Sequence, residues 1–225
     1  MCVYSLRWCD LSDSSCSSLA AALSSNASSL RHLDLSVNEQ LGDSGVKLLS
    51  TGLEHPNCRL ETLKLGGCDL SHSSCSSLAA ALSSNSSSLR HLRLSVNEQL
   101  GDSGVKLLLQ ECNLSDSSCS SLAAALRSNS SSLRHLVLSG NRELGDSGVK
   151  LLSTGLEHPN CKLETLELQE CNLSDSSCSS LAAALRSNPS SLRHLHLNYN
   201  TQLGDSGVEL LSPGLEHPNC RLETL

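Results

Sequence analysis

Leucine falls on a fixed beat along this chain. SLRHLDLSVN at 29–38 returns as SLRHLRLSVN at 88–97, SLRHLVLSGN at 132–141 and SLRHLHLNYN at 191–200. A second phrase falls between these copies, LETLKLGGCDL at 60–70 and LETLELQECNL at 163–173. The interval from Leu30 to Leu89 equals that from Leu133 to Leu192, whereas the interval from Leu89 to Leu133 is shorter. Each long unit divides in two, since Asn38, Cys68 and Asn97 are almost evenly spaced. In Leu-x-Leu, alternate side chains point to opposite sides, so each phrase predicts a short strand with its leucines buried. The Asn or Cys that follows turns the chain out of the strand.

Between the strands the beat changes to a helical one. In LSDSSCSSLAAALSSN (11–26), Cys16, Leu19, Ala20 and Leu23 form one apolar stripe, with Ser12 or Asp13 as N-cap and serines on the outer side. In GDSGVKLLSTGLEHPN (42–57), Val46, Leu49 and Leu53 form the stripe, and Pro56 forbids continuation. Ala20, Ala21, Gly45 and Gly52 are small enough to let the helices approach the strands closely. Strand, turn and returning helix, repeated at this even interval, make the leucine-rich-repeat pattern, Leu-x-x-Leu-x-Leu-x-x-(Asn/Cys)-x-Leu. The expected fold is therefore an α/β solenoid, a horseshoe arc with parallel strands on its concave face and helices on its convex face, forming a single domain over 1–225.

The alternation of LxxLxLxxN…LGDxGVxLLxxGLxxPxCxLExL with LxLxxCxLxxxxCxxLAxAL resembles the ribonuclease-inhibitor type of leucine-rich repeat. The wording LRHLDLSVNEQLGDSGVKLLSTGLEHPNCRLETLKLGGCDLS is most similar to the C-terminal repeats of the fish NLR proteins, intracellular innate-immune receptors with a NACHT ATPase domain. That resemblance covers essentially the whole chain. It implies a cytoplasmic protein-binding segment that senses ligands or holds a receptor inactive. The chain itself has no G-x-x-x-x-G-K-[ST] phosphate loop, so ATP is not expected to bind here.

One junction breaks the rhythm. GDSGVKLLLQECNLS (101–115) joins two phrases that STGLEHPNCKLETLE separates at 153–167. Relative to the long unit, that whole spacer is missing. Either Leu107 and Leu109 imitate Leu-x-Leu, or 102–108 keeps its helix and the sheet is interrupted. The expectation is a shortened, irregular coil near 98–112, with its junction at 101–112, that still passes a strand to the sheet. The chain opens almost on a strand and stops at RLETL without polar capping repeats, as a fragment or an incomplete gene model would.

Composition narrows the function. Phe is absent, and Trp8, Tyr4 and Tyr199 are the sole aromatics, in keeping with a thin interior of Leu, Val, Ala and Cys. A net charge of −7 without a Lys/Arg cluster argues against a nucleic-acid partner. No apolar run approaches the roughly 18 residues of a membrane span, and no signal peptide is visible.

Eleven of the twelve cysteines recur in alternate coils. Equivalent positions would be about 10 Å apart, beyond disulfide reach, so they read as reduced core residues. Seven of the nine histidines lie in LRHL (His32, His91, His135, His194) and in the HP turn (His55, His158, His217), without zinc-finger spacing; they read as solvated surface, and no metal is expected. Sequons at Asn26, Asn85 and Asn129 all come from one Ser-rich loop. Ser, His and Asp are explained by the repeat, so neither catalysis nor a cofactor is expected.

Comparing 28–86 with 131–189 exposes differences that include Asp34/Val137, Val37/Gly140, Glu39/Arg142, Gln40/Glu143, Lys64/Glu167, Gly66/Gln169 and Gly67/Glu170. The central x of Leu-x-Leu reads Arg7, Asp34, Lys64, Arg93, Val137, Glu167 and His196, while SDSSCSSLAAAL changes little. These side chains alternate with buried leucines and are expected on the concave face, as a surface for protein partners. Asn198 and Tyr199, in the last complete strand, are the best anchors, because Tyr is enriched at hot spots. Trp8 is a further candidate, or a ring covering the end of the stack. The rival readings are a ribonuclease inhibitor, disfavoured by so few aromatics, and a repeat-type GTPase activator, for which no special loop is seen.

Overall fold

The computed structural model describes residues 2–84, 87–95, 114–187 and 191–225. The strands are β1 (Cys2–Ser5), β2 (Leu30–Asp34), β3 (Thr62–Lys64), β4 (His91–Arg93), β5 (His135–Val137), β6 (Thr165–Glu167) and β7 (His194–His196). All are parallel and lie in chain order in one sheet. The described helices are α1 (Asp13–Ser24), α2 (Gly42–Leu53), α3 (His72–Ser83), α4 (Asp116–Arg127), α5 (Gly145–Leu156), α6 (Asp175–Arg186) and α7 (Asp205–Leu215), one after each strand in the chain. A 3-10 turn over Glu39–Leu41 precedes α2.

The register is uniform, leucine on leucine: Leu33, Leu63, Leu92, Leu136, Leu166 and Leu195 stand side by side, and all are buried. The helix stripes close this core, with Cys16, Ala20 and Leu23 buried on α1 and Val46, Leu49 and Leu53 on α2. Ser12 is the N-cap residue of α1 but makes no side-chain cap bond, whereas Ser71 and Ser174 do cap α3 and α6.

The Asn at the end of the LRHLxLxxN phrase is a buried clamp. Asn38 donates to the Leu6 and Leu35 carbonyls and accepts from the Cys9 and Leu11 amides. Asn200 does the same with Leu168, Leu197, Cys171 and Leu173. In the other coils Cys68 and Cys171 donate their thiols to the Leu35 and Leu138 carbonyls at 3.2 and 3.3 Å. Burial pushes the Cys16 thiol up to about 11 and the Cys171 thiol up to about 12.

The expected irregular coil at 98–112 falls outside the described residues. Their neighbours nevertheless correct one expectation. β4 pairs directly with β5, Leu92 opposite Leu136, so no strand is passed to the sheet between them. Asn141 donates to the Leu94 carbonyl and accepts from the Leu114 amide, the roles Leu6 and Leu11 play for Asn38. Leu6 and Leu11 are near neighbours in the chain, whereas Leu94 and Leu114 are far apart.

Two further corrections concern contacts between coils. The small residues serve helix–helix approach, not helix–strand approach: a Cβ on Gly52 would lie 2.7 Å from the Ala20 Cα, and one on Gly155 2.8 Å from the Ala123 Cα. Ala21 is exposed. The HP-turn histidines are not idle surface either. His55, His158 and His217 each accept from the amide two residues on, and Asn57, Asn160 and Asn219 reach the last carbonyls of α1, α4 and α6.

Asp146, in the first turn of α5, accepts from the Ser174 amide at 2.9 Å and from the Ser174 and Ser177 hydroxyls. It thereby caps the neighbouring helix α6 from outside, as Asp43 does for α3. Burial alone would raise the Asp146 carboxyl, but the bonds from Ser174, Ser176 and Ser177 outweigh it and hold it at about 2, below its ordinary 3.8. Its contribution is complete above 3.8 and is lost as pH falls through about 2. Asp146→Asn is expected to lower the melting temperature at neutral pH and to flatten the loss of stability over that acid window; an unchanged acid profile would refute this capping role.

Ala is the better helix former by about 1 kcal/mol, yet Gly155→Ala is expected to destabilise. Forcing α4 and α5 apart costs roughly 1–3 kcal/mol, so urea denaturation should show a lower midpoint.

Candidate interaction surface

Parallel pairing turns the x of Leu-x-Leu into a continuous row. Asp34, Lys64, Arg93, Val137, Glu167 and His196 stand opposite one another in register, all at least partly exposed. Lys64 Nζ and Asp34 approach to 3.5 Å along this row. Arg7 does not belong to it. Ser5 pairs with Asp34, and Arg7 lies two positions later, in the turn beyond β1. The N-terminal phrase has Tyr4 where the other strands have leucine, which shifts an LxL reading by two.

Asn198 and Tyr199 are likewise in a turn, not in the last strand. Both are exposed, Tyr199 to 77%. The described turn position just before each Asn or Cys is left-handed: Trp8 (φ 56°), Val37 (62°), Gly67 (66°), Gly140 (81°), Glu170 (55°) and Tyr199 (63°). The amides of Trp8, Val37, Gly140 and Glu170 bond the next coil's carbonyls, which prolongs the ladder past the strand and holds the conformation. Glycine takes it freely; an indole, a valine and a phenol do not. This second row, beside the strand ends, is legible in sequence only as Val37/Gly140 and Gly67/Glu170 variation.

A third row lies one step before the strand leucines. His32, Thr62, His91, His135, Thr165 and His194 are aligned by the same register. His32 Nδ1 meets the Thr62 hydroxyl at 2.9 Å and His194 Nδ1 meets Thr224 at 2.9 Å, so these histidines are cross-coil partners and not merely solvated. The preceding residues alternate in charge: Arg31 pairs with Glu61 at 3.5 Å, Arg134 with Glu164 at 3.3 Å, and Arg193 with Glu223. At β4–β5 the alternation fails, because Arg-His is followed by Arg-His. His91 stacks on His135 with ring centroids 4.2 Å apart, 11° from parallel. Burial, and for His91 next the facing His135, hold both imidazoles below their ordinary titration range.

Among the described residues no group of acidic, Cys or His side chains could hold a metal ion. No described helix is long and apolar enough to cross a membrane.

Stacked parallel coils with exposed, variable side chains on the open face define a repeat-built interaction scaffold. The Leucine Rich repeat family model matches 26–50, 85–109, 129–153, 160–182 and 188–212, more than half of the sequence, and the chain belongs to the leucine-rich-repeat family. It is 43% identical over 220 residues to human NACHT, LRR and PYD domains-containing protein 12, covering 98% of this chain and 16% of that protein. It is 40% identical over 217 residues to mouse NACHT, LRR and PYD domains-containing protein 3, covering 96% and 16%, and 40% over 210 residues to the human protein 14 of the same name, covering 93% and 15%. The chain thus spans about a sixth of the length of these relatives. A chain of the yeast Rad7–Elc1 complex overlays with a TM-score of 0.37 at 22% identity, over 90% of this chain and 58% of that one.

Left-handed backbone costs a non-glycine residue about 1–2 kcal/mol, and Tyr199 buries little that could offset it. Tyr199→Gly is therefore expected to leave the melting temperature unchanged or slightly raised. A drop of several degrees would show that the ring is a structural prop.

Proposed function

We propose that this chain is a non-catalytic protein-interaction module, the ligand-sensing or autoinhibitory repeat segment of an NLR-like intracellular immune receptor. The observation that carries it is the contrast between two faces built from one repeat. The helix phrase is nearly constant, whereas the row Asp34, Lys64, Arg93, Val137, Glu167, His196 changes charge, size and polarity at almost every step. Asn198 and Tyr199 extend this surface at one end, and Arg7 and Trp8 at the other. Exposed residues that drift freely would vary on both faces. Selection for display on one face accounts for the asymmetry.

Similarity to the NACHT, LRR and PYD domains-containing proteins supports the receptor context. On this reading the repeats are of the ribonuclease-inhibitor type and of the fish receptor branch, act in the cytoplasm, and bind protein rather than nucleic acid or membrane.

A photo-cross-linking amino acid at Val137 or Glu167, in the full receptor expressed in cells, is expected to give adducts. The same group at Lys47 or Lys150, on the exposed side of α2 and α5, is expected to give few. Adducts within one receptor chain would mark a holding role, and adducts to a second protein a sensing role. Equal yields from both faces, or adducts from the helices alone, would overturn the reading. Potent inhibition of a ribonuclease by the purified chain would favour the ribonuclease-inhibitor alternative.

A further inference from the structure

The break in coil order leaves a charge imbalance at the middle of the concave face. In every other described instance an Arg-His strand is followed by a Glu-Thr strand, giving Arg31–Glu61, Arg134–Glu164 and Arg193–Glu223. β4 is followed by β5, a second Arg-His strand, so Arg90 meets Arg134: the Arg134 amide donates to the Arg90 carbonyl at 2.8 Å. Among the described residues the Arg90 and Arg93 guanidinium groups pair with no carboxylate, and Arg93 Nε donates to the Ser95 hydroxyl at 2.7 Å. Arg90, His91, Ser132, Arg134, His135 and Glu164 line an open pocket of about 430 Å³. Two guanidinium groups, two imidazoles and a hydroxyl thus face one space with a single carboxylate, which Arg134 already holds.

We propose that this pocket, with Arg93 beside it, anchors an acidic segment of the protein partner, its carboxylates taking the place of the Glu that the coil order omits at Arg90. The inference rests on the concave face being the partner surface, and it names the chemistry recognised there. Carboxylate is the group this sheet already uses against Arg in three other places. The chain's net charge of −7 repels an acidic segment elsewhere, so one uncompensated positive site confers register as well as affinity. The histidines add a proton linkage. His91 faces His32, His135, Arg90 and Glu61; His135 faces His194, Arg134, Glu164 and Glu167. A bound carboxylate favours their charged forms, so binding strengthens as pH falls below the ordinary imidazole range.

The test uses a fluorescein-labelled oligoglutamate peptide and the purified chain, followed by anisotropy at low ionic strength, with circular dichroism to confirm that each variant is folded. Saturable binding is expected, weakened about tenfold or more by R90A/R93A. The charge-matched K47A/K150A, on the helix face, is expected to change it less than about twofold, as distant exposed charges are screened. Lowering the pH from about 7.5 to about 5.5 should tighten binding to the wild type and leave His91→Gln/His135→Gln unmoved. Absence of binding, or equal loss in R90A/R93A and K47A/K150A, would overturn the anchor. If cross-links map to the concave face and oligoglutamate ignores Arg90 and Arg93, this inference alone fails. If oligoglutamate binds at Arg90 and Arg93 while cross-links map to the helices, the partner-surface reading fails instead.

Discussion

The structure depends on the buried side-chain amide at the end of the LRHLxLxxN strands. Asn38, Asn141 and Asn200 each tie their own coil to the previous one by bonds to two carbonyls and at least one amide. Buried backbone groups must be paired, and the turn leaving a strand has lost its ladder partners. One amide supplies both donors and acceptors at that point, which few side chains can. Because it reaches back one coil, it copies the position of one turn onto the next. Strand register follows, and register converts sequence phrases into rows.

Much of this is legible in the chain's own repetition. The even return of the leucines places the strands, and the Cys16, Ala20, Leu23 stripe places α1. Asp34, Lys64, Arg93, Val137, Glu167 and His196 form one row, as expected, because a two-residue alternation survives any detail of packing. Arg7 escapes this logic because Tyr4 breaks the leucine beat at the first strand. Asn198 and Tyr199 read as strand because nothing in an L-amino acid's identity announces a positive φ. The capping carboxylates Asp43 and Asp146 are hidden for a different reason: their partners Ser71 and Ser174 are distant in the chain, and only stacking brings them together.

The left-handed row shows how a solenoid can display large side chains. Gly67 and Gly140 show that the turn is freely made by glycine. Trp8 and Tyr199 occupy the same turn with rings more than half exposed. The ladder bonds beyond the strands hold the conformation, so a costly residue is tolerated one at a time. Strain of this kind, with no burial to offset it, is an argument for use at the surface.

The junction at β4–β5 separates what the repeat treats as interchangeable from what it does not. Its leucines match whichever coil type comes next, so Leu92 pairs with Leu136 as Leu63 pairs with Leu33. The polar pairings are specific to coil type, and among the described residues they fail together. Arg90 lacks its Glu, His91 faces His135 where a Thr hydroxyl belongs, and on the helix side the buried Ser118 hydroxyl has no partner. Ser118 corresponds to Ser74 and Ser177, which donate to Asp43 and Asp146; α4 lies beside α3, which begins with His72 and has no Asp of that kind. A nonpolar core therefore accepts a rearranged coil order, and the consequence appears at the surfaces as unmatched polar groups. On the convex side, among the described residues, the Ser118 hydroxyl stands without a bond. On the concave side, among the described residues, the Arg90 and Arg93 guanidinium groups stand without a carboxylate.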